Sequence, residues 1–369
     1  MNLYKSLIFI LYLGIFLGSG FRTPAQSRDS ITLYGTLDTV QVIRQRIQHA
    51  NEANAGARVT HISPAILQAN KTRSLAELLT DHTSIYIKSL GTGALSTASF
   101  RGTSASQTRV NWNGINITPP LSGTFDFSQI PVFFTDNINL YYGSSHVKNG
   151  TGAIGGSVNL FTDTDWNRGV NGRVLAEYGS YNTYTVGGQA NISGNKSASK
   201  TRLYYQHSDN DYTYLNKVLT NIPFREKRQD AAYSQFGIMQ EGYFRVSPYT
   251  RLTAVAWYQK NHRNLPQPLG VVNRSQEDQE ENNFRGYAGL DFSRGIHELH
   301  VKAAWLYFCQ TYDIRYDGGL FDPKGNKNRS NTAQVVADYT YSPTDKLILN
   351  TTLTYSHDLI RVSSYIDID

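Results

Sequence analysis

From residue 170 onward the chain alternates apolar and polar residues over long stretches, and this restricts it to extended antiparallel strands. In residues 333–341, Ala333, Val335, Ala337, Tyr339 and Tyr341 point one way, while Gln334, Asp338 and Thr340 point the other. Residues 346–356 repeat the pattern, with Leu347, Leu349, Leu353 and Tyr355 opposite Asn350, Thr352 and Thr354. Residues 299–307 do so again, with Leu299, Val301, Ala303, Trp305 and Tyr307 against His300, Lys302 and Ala304. Each run has the roughly 9–11 residues that a tilted strand needs to cross a bilayer. The connections 193–200, 247–249, 294–297 and 342–345 are short, whereas 208–232, 263–283 and 313–330 are long, polar and charged. An up-and-down barrel gathers long loops at one end and short turns at the other. A soluble sandwich would show alternation but would have no reason to sort its connections by length. The expected fold is mainly β, with an antiparallel up-and-down transmembrane barrel over residues 170–369 in about nine strands, too few to close a large one.

A membrane barrel fits the hydropathy, because only every second strand residue faces lipid. Mean hydropathy is −0.42, and no stretch is long enough for a transmembrane helix. The 25 Tyr, 4 Trp and 16 Phe suit strands and interfacial girdles. Residues 1–27 read as a secretory signal: Lys5 supplies the positive start, Leu7–Leu17 the short apolar region, and cleavage is expected after Ala25 or Ser27. Residues 28–55 form a polar linker with one apolar segment at 37–42. Cys309 is the single cysteine, so the exported chain has no internal disulfide. The formal charge of +6 is spread without a basic, aromatic-interleaved cluster, so no nucleic-acid partner is expected.

Residues 56–163 carry a different pattern. Ser74 and Glu77 form a capping box opening a short helix, with Leu75, Leu78 and Leu79 on one face. Strands are expected at 84–88, with Ile85 and Ile87 opposite Tyr86, and at 108–112. Loops follow at 90–99 and 118–124, and Asn113-Gly114 marks a tight turn. Gly150, Gly152 and Gly155 have the spacing G-x-G-x-x-G, but a nucleotide cradle needs a buried strand before it and a helix after it. Here 143–149 is polar and SVNLF alternates like a strand, so the glycines serve a close turn between two strands. The unit is a compact α+β domain. His297, Glu298 and His300 do not have the zinc-helix spacing. Glu277, Asp278, Glu280 and Glu281 read as a solvated acidic patch in a loop. No Ser/His/Asp constellation stands out, and an enzyme is not expected.

Two segments, FRGTSASQTRVNWNGINI and GSSHVKNGTGAIGGSVNLF, resemble the plug domain of TonB-dependent outer-membrane receptors. The resemblance covers roughly residues 59–162 and extends to the strands in style. It implies a small α+β plug folded inside a 22-stranded barrel in the outer membrane of a Gram-negative bacterium. It also implies energised uptake of a scarce nutrient, driven through TonB from the inner membrane, with lipid as the barrel's other neighbour. Asp38, Thr39, Val40, Gln41 and Val42 then resemble the coupling box, an extended segment able to add a strand to TonB. The substrate-facing plug loops would present Thr92, Leu95, Ser96, Asn116, Leu121 and Ser122. Arg101, in the family's Arg-Gly step, would pair with an acidic wall residue, for which Glu177 is the candidate. A second family arginine is replaced in the run Tyr141-Tyr142-Gly143. The plug segment and LDTVQV look most like the cobalamin branch, with ferric siderophores as the alternative cargo. The linker lacks the extra domain common in glycan receptors. No cofactor is required, although Asp209, Asn210 and Asp211 offer oxygen ligands for calcium, which can order outer loops.

A passive porin or surface adhesin is the reading of another class; the segment 37–42 separates it from an importer. The ending SYIDID is not the aromatic-ended strand of outer-membrane proteins. Open sheet edges are not tolerated in hydrocarbon. The expectation is therefore a truncated receptor or one half of a split one, non-functional alone.

Overall fold

The computed structural model describes residues 58–143, 152–218, 223–269, 275–316, 324–344 and 347–366. The signal at 1–27, the linker at 28–55 and the segment 37–42 lie outside the described residues.

The N-terminal unit begins with β1 (Arg58–His61), α1 (Pro64–Ala69) and α2 (Leu75–His82). Helix α2 starts where the sequence predicts: Ser74 Oγ accepts from Glu77 N, and the Glu77 carboxylate accepts from Ser74 N at 2.8 Å. Its Leu75, Leu78 and Leu79 are buried together. A hairpin of β2 (Tyr86–Ser89) and β3 (Ser96–Ser99) follows, then β4 (Thr108–Trp112) and β5 (Ile115–Asn116). Asn113 and Gly114 both take positive φ, 50° and 84°, as a two-residue hairpin turn requires. Two 3-10 turns, Phe127–Gln129 and Val132–Phe134, lead to β6 (Asn137–Tyr142) and β7 (Gly156–Phe161). The five-stranded sheet has the order β1-β6-β7-β4-β5, with β4 parallel to β7 and the other pairs antiparallel. Gly156 opens a strand and not a helix, so the nucleotide fingerprint lacks its structural context.

The second half is one antiparallel sheet. Its strands are β8 (Gly169–Gly179), β9 (Thr183–Ser193) and β10 (Ser197–Ser208), then, after a small β11 (Thr213–Asn216) and β12 (Phe224–Lys227) hairpin, β13 (Tyr233–Ser247), β14 (Thr250–Asn264), β15 (Ser275–Arg294), β16 (His297–Tyr316), β17 (Lys324–Thr344) and β18 (Leu347–Ile366). Nine of these pair in a simple meander from β8 to β18, leaving out β11 and β12. This is the up-and-down wall of an incomplete barrel. Strands β13 to β18 run 15–21 residues, longer than a bilayer crossing needs. The polar stretch from Ser275 to Asn283, expected as loop, is strand: Ser275–Asn283 pairs with Tyr316–Phe308 in register. The acidic patch is therefore not a solvated loop. Glu281 is buried and accepts from Gln310 Nε2 at 2.9 Å.

The polarity of this sheet is inverted relative to a soluble one. Phe236, Ile238, Phe244, Leu252, Trp305, Val335 and Tyr339 are exposed on its outer face. The buried face carries Lys200, Arg202, Gln235, Glu241, Gln259, Asn261, Arg263 and Gln334. Buried polar side chains must find partners, and here the N-terminal unit supplies many of them. That unit packs on the buried face of the sheet, its apolar core continuing into Tyr204, Met239, Val255 and Trp257 of the wall.

Candidate functional site: the seam between plug and wall

The segment from Asp126 to Asp136 forms the seam because its 3-10 turns leave backbone carbonyls without helical partners. Wall amides fill them. Gln235 Nε2 donates to Ser128 O at 2.9 Å, and Gln259 Nε2 to Gln129 O at 3.1 Å. Asn261 Nδ2 donates to Gln129 Oε1 at 2.9 Å. Nearby, Tyr204 Oη donates to Thr72 O at 3.0 Å, and Gln334 Oε1 accepts from Asn116 N at 2.9 Å. Between these contacts sits an aromatic cluster. Trp112 and Phe134 of the plug each lie 5.3 Å from the Trp257 ring, and Arg285 covers Trp257 at 4.5 Å.

Charges close the seam at both ends of the segment. Asp126 accepts from Arg263 Nη1 at 2.7 Å while also capping the first 3-10 turn through Ser128 N and holding Ser96 N. Asp136 accepts from Lys200 Nζ at 3.0 Å, from Asp163 N at 3.0 Å, and from Arg202 Nη2. Burial opposes ionisation of Asp136, but Arg202 and Lys200 outweigh it and hold the carboxyl well below the usual range. Beside it Lys71 donates to Val132 O, and burial lowers its ammonium to about 8.

The expected site residues are placed as follows. Thr92, Leu95, Leu121 and Ser122 lie exposed at the surface of the plug. Ser96 is not exposed: it is buried with its N–H on Asp126, so its role is to hold the hairpin. Asn116 is half-buried against Gln334 of the wall. A cavity of about 170 Å³ opens beside the β2–β3 turn, lined by Ser74, Glu77, Thr92, Gly93, Tyr233 and Gln235 among others.

Arg101 and Glu177 are not brought together. Arg101 lies over the Tyr142 ring at 5.8 Å, and Arg58 over the same ring at 5.0 Å. The aromatic in the place of a second arginine thus serves as a cation platform. Nor do Asp209, Asn210 and Asp211 converge as calcium ligands. Asp209 accepts from Asn182 and faces His207, Asp211 pairs with Lys227 at 2.7 Å, and Asn210 Nδ2 donates to Thr92 O and Ala231 O. Among the described residues no cluster of three His, Cys, Asp or Glu side chains could hold a metal. What the sequence did not disclose is the acidic side of the plug and its basic wall partners: Asp126, Asp136, Lys200, Arg202 and Arg263. The signal was present in β10, where Lys200 and Arg202 occupy alternate positions on the face that also carries Tyr204.

The comparisons with known proteins agree with this geometry. Residues 51–157 match the TonB-dependent Receptor Plug Domain family. Over 135 residues the chain is 32% identical to the vitamin B12 transporter BtuB of Photobacterium profundum, a match covering 37% of this chain and 22% of that protein. A second match, to the vitamin B12 transporter BtuB of Vibrio cholerae, is 32% identical over 126 residues and covers 34% of this chain and 20% of the relative. The matched stretch thus spans about a fifth of these relatives. Among solved structures, the FrpB iron transporter from Neisseria meningitidis superposes with a TM-score of 0.67 at 12% identity, covering 84% of this chain and 49% of that one. The copper transporter OprC gives 0.63 at 14%, covering 84% and 47%. At such identities the structures establish a shared fold. Residues 51–157 thus carry a TonB-dependent receptor plug domain, seated on nine strands of antiparallel wall whose fold these solved transporters share.

Proposed function

We propose that the protein is an outer-membrane receptor that takes up a scarce small-molecule chelate, cobalamin before any other, by coupling to TonB through residues 37–42. The observation that carries the reading is the way the plug is held. Its seam combines separable amide-to-carbonyl contacts, each worth about 0.5–1.5 kcal/mol net, with a few ion pairs and one aromatic cluster. Its β1 is an edge strand, paired only with β6 over four residues, and it is the first described plug element after the 37–42 segment. Tension applied at that segment therefore reaches this edge of the plug sheet first and can open contacts one after another. The barrel supplies an apolar outer face for lipid and a polar lumen for solute. Cobalamin is supported by the 32% identity to vitamin B12 transporters over 135 and 126 residues.

The test is uptake of radiolabelled cyanocobalamin by cells expressing the protein from its full reading frame, with and without residues 37–42. Uptake lost to background with surface binding retained supports the reading. Uptake indifferent to the deletion would favour a passive pore. Binding of ferric siderophores with no binding of cobalamin would replace the cargo while keeping the transport class.

A further inference from the structure

Arg202 stands between two carboxylates that belong to different bodies. Its Nη2 binds Asp136 of the plug, its Nη1 donates to Phe133 O of the plug at 3.1 Å, and Nη2 also lies 3.4 Å from Glu241 Oε2 of the wall. Arg202 and Glu241 are both fully buried, on neighbouring strands β10 and β13, with Lys200 opposite Glu241 and Arg202 opposite Met239 in register. Each keeps a buried polar atom without a hydrogen-bond partner: Nε on Arg202 and Oε2 on Glu241. The other Glu241 oxygen is held by Tyr243 Oη at 2.8 Å, which fixes the carboxylate in place.

We propose that Arg202 is a two-position latch and that Glu241 is its reserve partner. While the plug is seated, the guanidinium hydrogen-bonds Asp136 and Phe133 O and keeps only a longer, 3.4 Å ion pair with Glu241. When the plug shifts, it turns fully onto Glu241, joining the two atoms that have no hydrogen bond in the seated state. The proposal rests on the receptor reading above and extends it to how the plug lets go.

The physical need is clear. A wall arginine whose hydrogen-bonded counter-charge departs with the plug must be paired again or hydrated, and until it is the loss is destabilising. A wall carboxylate already 3.4 Å away removes most of that penalty, so withdrawal of the plug tightens one ion pair as it breaks another. The seated state is still favoured, because only there does Asp136 gain Lys200, Arg202 and the Asp163 N–H together. Lys200, less deeply placed near the start of the same strand, follows the exchange by hydration.

The exchange predicts a coupling that a static network does not. In the full protein in detergent, Asp136→Asn should lower the melting temperature modestly, because Glu241 captures Arg202. In a Glu241→Gln background the same substitution should cost at least about twice as much, an interaction characteristic of residues sharing one partner. Additive or smaller losses in the double variant would overturn the latch, whatever the transport assay shows. In cells, Glu241→Gln should leave surface binding of cobalamin unchanged and slow its energised uptake several-fold. Unchanged uptake alongside additive stabilities would mean that Glu241 only fills the wall. Absence of any uptake by the unmodified protein would count against the receptor reading and leave the stability cycle to judge the latch.

Discussion

The Phe134 ring of the plug sits directly on the backbone of Gly237 in the wall. A methyl group placed on Gly237 would come within 2.6 Å of the ring, which is itself packed against Trp257 and Tyr204. The wall is cut back to bare backbone at the point where the plug's aromatic anchor lands. Gly237→Ala should therefore destabilise the seated plug by about 1–3 kcal/mol, the usual cost of overpacking. At Gly242, further along the same strand, an added methyl would meet its neighbours only at ordinary contact distance. Gly242→Ala should be near neutral, and melting of both variants in detergent checks the contrast.

Asp126 is the joint of the seam, since one carboxylate caps a 3-10 turn, holds the β3 strand through Ser96 N and binds Arg263. Asp126→Ala removes the cap and leaves Arg263, only 10% exposed, facing the plug without its counter-charge. The expected loss is about 3 kcal/mol, as for other broken buried pairs. It should appear as proteolytic cleavage in the β2–β3 hairpin at protease levels that leave the unmodified protein intact. An uncut hairpin would show that Gln279, which also accepts from Arg263, is sufficient support.

Alternation made the wall legible: Val335, Tyr339 and Trp305 are exposed on one face, and Gln334 and Thr332 are buried on the other. The helix at Leu75 and the turn at Asn113-Gly114 were equally readable, because a capping box and a left-handed dipeptide are local signals. The strand from Ser275 to Asn283 was not. Its Glu, Asp, Gln and Asn residues have low strand preference, and only pairing on both sides with β14 and β16 decides the matter. The seam was also hidden. Nothing near Asp136 in the sequence points to Arg202, because the partners meet only when the plug enters the wall. The family arginine, by contrast, drew attention to Arg101, whose guanidinium lies over Tyr142.

The outer face offers a prediction about environment. Val335 is exposed between Ala303 and Tyr355 on the neighbouring strands. In a lipid-facing position near mid-bilayer, Val335→Arg should cost about 2–4 kcal/mol of membrane stability. On a water-facing sheet the same change would be neutral or would improve solubility. Its neighbour Gln334 faces the plug, so Gln334→Ala should spare membrane insertion but strand the Asn116 N–H. Recovery of folded protein from the membrane fraction separates the two outcomes.

Two plug residues make stability rise with pH, each in its own window. Asp136 has a folded-state pKa below its unfolded one, so its contribution is complete above about pH 4 and is lost as pH falls further. Lys71 works at the alkaline end. Burial lowers its pKa most, the nearby Arg202, Arg173 and Lys200 add to this, and Asp136 partly opposes it, leaving about 8 against an ordinary 10.5. The unfolded chain then binds more protons than the native one between pH 8 and 10.5, so this residue makes stability rise with pH across that window. Below pH 8 the native state carries the full burden of a buried ammonium, an upper limit of roughly 3 kcal/mol from the displacement. Lys71→Met keeps most of the stem, removes the charge and should flatten the alkaline slope. It should also raise stability at pH 7, unless losing the bonds to Val132 O and Thr135 O offsets the gain. Melting temperatures of both proteins from pH 7 to 10.5 read the slope directly, and parallel curves would show that Lys71 titrates as it does in water.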